Sequence, residues 1–183
     1  PNTPVHDIAW KDDDLVLATH GRAFWVLDDI TPLQELYATP RFVGGRMELA
    51  APYLFKPKDA YRVRWGGSRS GAGANPLSGV VLSYYLPNDV ASVKFEFKDS
   101  EGRVVQTIAS APRTKGFQRI SAFLQYPSYK NVQGMIMWGA FPRPLTAPPG
   151  NYTVSMVVME GNTTLTSKFR WLKDPRSTAS DKD

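Results

Sequence analysis

Apolar and polar positions alternate in short bursts along the chain, and the most ordered burst is Leu15–Ile30, LVLATHGRAFWVLDDI. Leu15–Thr19 and Ala23–Leu27 predict two strands joined by a turn at His20-Gly21-Arg22. Upstream, Val5–Trp10 alternates loosely and predicts another strand, with Lys11–Asp14 as a polar turn. Three successive antiparallel strands with short turns make a meander. A sheet this small is marginal in water unless something covers its apolar face. Asp28-Asp29 ends the pattern. Thr31 then caps a short helix through Leu36, with Pro32 at its first position.

Tyr37–Pro52 reads as a connector, because Pro40 and Gly44-Gly45 break regular elements. Leu54–Pro57 is extended before its proline. Ala60–Trp65 sets Tyr61, Val63 and Trp65 against Arg62 and Arg64, the pattern of a half-buried strand. The glycine-rich stretch 66–78 is a loop. From there strands are predicted at Val80–Leu86, Val93–Lys98, Arg103–Ile108, Gly116–Leu124, Asn151–Met159 and Thr163–Leu172. Turns at Asp99–Gly102, Pro148–Gly150 and Glu160–Asn162 separate several of them, and Tyr126–Ala147 is irregular. Short strands punctuated this way predict an all-β fold, a β-sandwich over 53–174. The expected organisation is 1–30 for the meander, 31–52 for the helix and linker, 53–174 for the sandwich and 175–183 for a flexible tail.

Composition narrows the function classes. Hydrophobic residues make up 42% and charged residues 21%, a globular balance rather than a disordered one. The net charge of +5 is spread over Arg62, Arg64, Lys94, Arg103, Arg113, Lys115 and Arg119 with no basic run. A nucleic-acid face clusters its charge, so no nucleic-acid partner is expected. Zero cysteines exclude zinc ribbons, disulfide scaffolds and thiol nucleophiles. No apolar run approaches the ~20 residues of a membrane span. No signal peptide is visible, and Pro1 at the start points to a processed product or a piece of a longer protein.

Candidate chemistry is sparse. His6 and His20 are the only histidines, and His20 falls in a turn with no second metal ligand at suitable spacing. Asp12-Asp13-Asp14 and Asp28-Asp29 lack a calcium-loop pattern and suit solvated turns, with Asp28 serving strand-end amides. Nothing places a carboxylate pair for glycoside hydrolysis. Among aromatics, Trp65 sits on a strand's apolar face and suits the core. Tyr126, Tyr129 and Trp138 fall in the irregular stretch and are the candidate carbohydrate-contacting residues. Met135-Ile136-Met137-Trp138 suits core packing. The glycines of 66–73 lack the Lys-Ser/Thr ending of a phosphate loop. No catalytic residue, metal ligand or cofactor is assigned.

Two patterns resemble a known family. LVLATHGRAFWVLDDITPLQEL resembles the final blade of bacterial sortilin-like, BNR-repeat, glycosyl-hydrolase-type β-propeller proteins, where a THGR…W-(V/I)LDD segment closes the propeller before a short TPL helix. PKDAYRVRW, NPLSGVVLSYYL and APPGNYTVSMVV resemble the C-terminal sandwich of those proteins, which is similar to the Ig-like domain of the flagellar hook-cap protein. The resemblance covers about residues 1–176. Asp-box repeats are absent, and Phe117–Phe123 lacks the Trp and Asp usual in that segment. The resemblance implies an Ig-like or FnIII-like sandwich preceded by the last strands of a propeller blade. It implies a non-catalytic C-terminal accessory or assembly module of an exported protein, extracellular or periplasmic. The partner would be the rest of the propeller or another subunit, meeting the meander's apolar face at Val16, Phe24 and Val26 or their alternates. The alternative it implies is a carbohydrate-binding module or part of a glycoside hydrolase.

Overall fold

The computed structural model describes residues 2–38, 42–43, 46–47, 49–64, 73–128, 134, 144–178 and 180. Among them strands dominate, with one α-helix, so the fold is all-β as expected. The chain divides into two compact units, Pro1–Glu48 and Leu49–Asp183.

In the first unit, β1 (Val5–Lys11), β2 (Asp14–Thr19) and β3 (Phe24–Leu27) form an antiparallel sheet in the order β1-β2-β3. Lys11 pairs with Asp14, so two residues make the first turn, and Asp12 takes a positive φ of 53° there. Aspartate tolerates that conformation because its short polar side chain bonds locally. The second turn is closed by Thr19, whose backbone N–H and hydroxyl both donate to the Ala23 carbonyl at 3.1 and 2.7 Å.

Helix α1 (Thr31–Ala38) follows. Thr31 was expected as its cap, but it is the first helical residue, and Asp29 two residues earlier supplies the capping carboxylate. The Ile30 carbonyl accepts the Leu33 and Gln34 N–H groups. The Asp29 carboxylate accepts the Thr31 N–H and hydroxyl. Asp29 outcompetes threonine because its carboxylate serves two donors at once at the positive end of the helix. A two-residue ladder, β4 (Phe42–Val43) with β5 (Arg46–Met47), interrupts the expected connector. The Gly44-Gly45 pair between them is itself a hairpin signal, which the reading as a breaker overlooked; residues 44–45 lie outside the described residues.

Among the described residues the second unit holds two sheets. One runs β10 (Val104–Ile108), β9 (Val93–Lys98), β12 (Gly150–Val158), β13 (Thr163–Leu172), β7 (Ala60–Tyr61). The other runs β11 (Gly116–Ala122), β8 (Val80–Leu86), β6 (Tyr53–Leu54). Strict alternation in β9 buries Val93, Phe95 and Phe97 and leaves Lys94, Glu96 and Lys98 outward. Tyr152, Val154, Met156 and Val158 from β12 join them, as do Phe169 and Trp171 from β13. From the second sheet Val80, Leu82, Tyr84 and Leu86 complete one core.

The core is pinned by polar tips of its aromatics. Trp171 Nε1 donates to the Ala147 carbonyl at 3.1 Å, and the Tyr84 hydroxyl donates to the Pro112 carbonyl. Burial pushes both the Tyr84 and Tyr152 hydroxyls up to a pKa of about 12. Gly79 enters β8 at φ +88°, and a Cβ there would collide with the Ala122 carbonyl, so no other residue fits.

The strand expected at 60–65 is shorter. Among its described residues only Ala60 and Tyr61 pair, in parallel, with Trp171 and Leu172. The Val63 N–H then donates to the Tyr61 carbonyl at 2.7 Å, a turn centred on Arg62 that ends the extended run. Val63 is buried as its pattern implied, whereas Tyr61 is exposed. Trp65 lies outside the described residues.

Candidate functional site

The register of the meander sorts its side chains onto two faces. Val16 pairs directly with Val26, and Ala18 with Phe24. The three expected interface residues Val16, Phe24 and Val26 therefore share one face. Phe24 is 73% exposed and Val26 is also exposed, while Val16 is half-buried. On β1 the same face carries Asp7, Ala9 and Lys11, opposite Ala18, Val16 and Asp14.

The opposite face is apolar apart from Thr19, which pairs with Val5. Ile8 pairs with Leu17 and Trp10 with Leu15. Leu15 pairs in turn with Leu27, and Leu17 with Trp25. Six large apolar side chains thus form two cross-strand rows, with no charged residue among them. Trp10 is 61% exposed and Ile8 59%, and Trp25 and Leu27 are exposed too. Cross-strand pairs of this kind support one another, yet a contiguous apolar patch open to water is what interaction sites present. On helix α1, Pro32 and Leu36 are buried, whereas Leu33 and Tyr37, also four apart, are exposed.

Several charged groups of this unit serve its turns. Asp14 Oδ1 accepts the Asp29 N–H at 2.8 Å, and the Ile30 N–H donates to the Asp13 carbonyl. Lys11 pairs with Asp12 on the surface. His20 lies 5.2 Å from His6 ring to ring, and its backbone N–H donates to the Pro4 carbonyl. Among the described residues no group of three or more His, Asp or Glu could hold a metal ion.

Of the expected carbohydrate contacts, Tyr129 and Trp138 lie outside the described residues, as does Met135-Ile136-Met137. Tyr126 is half-buried beside an open cleft of about 400 Å³, lined also by Val104–Thr107, Gln125, Pro127 and Pro144. Its N–H donates to the Leu145 carbonyl, and the Gln106 side chain accepts the Gln125 N–H at 2.9 Å.

A second cleft was not foreseen from the sequence. It opens at the end of β13 with about 470 Å³, lined by Tyr61, Pro149, Gly150, Asn151 and Arg170–Lys173. Arg170 is held there by Asp59, whose carboxylate accepts Arg170 Nε at 2.7 Å and the Arg170 N–H at 2.8 Å. Burial works to raise the Asp59 pKa, but the side-chain and backbone hydrogen bonds from Arg170, with its charge, outweigh it and hold the carboxyl below its usual range.

Among the described residues no helix is long and apolar enough to cross a membrane. No protein-family model, curated protein or solved structure matches the chain.

Proposed function

We propose that this chain is a non-catalytic assembly module, and that its meander completes a larger β-structure by laying its apolar face against strands of another polypeptide segment. The observation that carries this is the uncharged face Ile8, Trp10, Leu15, Leu17, Trp25 and Leu27, largely open to water. Fully burying one such aliphatic side chain is worth about 1.5–3 kcal/mol. Few soluble units leave that much unused on a sheet of three short strands. The edges agree with it, since β1 and β3 each lack a second neighbour strand among the described residues.

The partner we favour is the remainder of a β-propeller, in an exported protein of the sortilin-like, glycosyl-hydrolase type. The THGR…WVLDD stretch supports it, and so does the three-strand order of its fold. In the second unit, two sheets contributing to one core support an Ig-like sandwich as the docking scaffold. The expected contact residues Val16, Phe24 and Val26 lie on the more polar side, so the primary surface is the opposite face.

The test is the double variant Trp10→Thr, Trp25→Thr. Both side chains are exposed, so the variant should lose only about 0.2–1 kcal/mol for each cross-strand pair it weakens. It should lose most of the dye binding and concentration-dependent association of the parent in sedimentation. A parent chain that stays monomeric and binds no apolar dye at high concentration would refute the proposal.

A further inference from the structure

The cleft at the end of β13 belongs wholly to the second unit, and it is independent of the meander. Its chemistry is specific. Tyr61 is 51% exposed, although its register partner Leu172 is half-buried beside it. Its ring therefore presents an apolar plane, extended by Leu172 and Pro149. Asn151 stands directly across the sheet from Arg170, and both are exposed. Among the described residues, neither the Tyr61 hydroxyl nor the Asn151 amide has a hydrogen-bond partner.

Arg170 is fixed before any ligand arrives. Asp59 takes Nε and Nη2, both at 2.7 Å, and also the backbone N–H. Among the described residues Nη1 has no partner. A guanidinium pinned on one side presents its remaining donors at a fixed angle, so it loses little freedom on binding. Lys173 also lines the cleft, and no carboxylate is among the described lining residues. Lys168, two residues along the same outward row of β13, adds a further cation.

An aromatic plane, an amide that donates and accepts, and a preset guanidinium in one open cleft match one ligand chemistry. We propose that this cleft binds a carboxylate-bearing sugar, a uronate residue within an oligosaccharide. The C–H face of the pyranose lies on the Tyr61 ring, whose π face is negative. Asn151 bonds sugar hydroxyls, which need both a donor and an acceptor. Arg170 Nη1 meets the carboxylate. The volume lies within the range of ligand clefts, which is about 300–1,000 Å³. Its openness along the sheet end suits a residue within a chain rather than an enclosed small molecule.

The experiment titrates the isotope-labelled full chain, by NMR, with a galacturonate tetramer, a neutral glucose tetramer and a glutamate tetrapeptide. The galacturonate tetramer should shift the amides of Tyr61, Asn151 and Arg170–Lys173, and its binding should weaken as salt rises. Tyr61→Ala should weaken it roughly tenfold or more, and Tyr61→Phe, which keeps the ring, by much less. Both variants must melt with the parent chain for the comparison to count, and the exposure of Tyr61 predicts that they do. No shift at the cleft would overturn the proposal. So would equal binding of the neutral tetramer, equal binding of the peptide, or a Tyr61→Ala variant that binds as tightly as the parent.

Discussion

Replacing Trp171 by alanine is the most severe single change the second unit should register. Trp171 has no exposed surface. Its indole meets the Phe123 ring edge-on at 5.3 Å, and the Arg64 guanidinium covers Phe123 from 4.2 Å. Truncation of a buried tryptophan to alanine costs about 3–5 kcal/mol in transfer and cavity terms. It also strips the Ala147 carbonyl of its donor inside the core, worth roughly 1–3 kcal/mol more unless water enters. Domains of this size hold only about 5–15 kcal/mol in total, so the variant should sit near the limit of folding. Trp171→Phe separates the terms, because it keeps most of the packing and loses only the donor and part of the ring. It should cost roughly 1–3 kcal/mol. Guanidinium unfolding followed by far-ultraviolet circular dichroism measures both, and an unchanged slope would show that the folded state keeps its compactness. A Trp171→Ala loss under about 1.5 kcal/mol, with the slope unchanged, would refute this view of how the core is held.

Other expected outcomes follow from single features. Gly79→Ala must force both an unfavourable backbone conformation and the collision with Ala122, whereas Gly102→Ala, at φ +81° in open space, meets only the first. The first term is roughly 1–3 kcal/mol, so Gly79→Ala should be clearly the more damaging in thermal unfolding, and equal losses would count against the collision. The depressed pKa of Asp59 gives a stabilising contribution that is present above the unfolded carboxyl pKa. It is lost as pH falls through the lower folded-state value. Asp59→Asn should therefore flatten the acid side of the stability profile, by at most about 1 kcal/mol for so exposed a pair. A loss that persists undiminished at low pH would contradict the ion-pair cause.

Much of the fold was legible because the strands alternate. Val80–Leu86, Val93–Lys98 and Thr163–Leu172 form over the predicted residues, each bounded by turn residues. The helix was visible too, but its cap was not, because Asp29 and Thr31 are both good caps and only the backbone decides between them. The meander face shows a subtler limit. In β2 and β3 nearly every residue is apolar, so alternation there selects no face. Only β1 breaks the tie, since Ile8 and Trp10 alternate with Asp7, Ala9 and Lys11, and it does so through cross-strand pairing that the sequence does not print. The uronate cleft was hidden for a different reason. Its key ion pair joins residues 111 positions apart, and Tyr61 looked like a core residue until the turn at Arg62 ended its strand. Tyr126, picked for its irregular surroundings, does border a cleft, yet its backbone is tied to Leu145.

The interface assigned to the meander can be tested most directly by hydrogen exchange on a verified monomer of these 183 residues. With Ile8, Trp10, Phe24, Trp25, Val26 and Leu27 exposed, the amides of Val5–Leu27 should open locally and exchange orders of magnitude faster than those of β9 and β12. Slow exchange across Val5–Leu27 in the monomer, matching β9 and β12, would mean that the meander is complete without a partner.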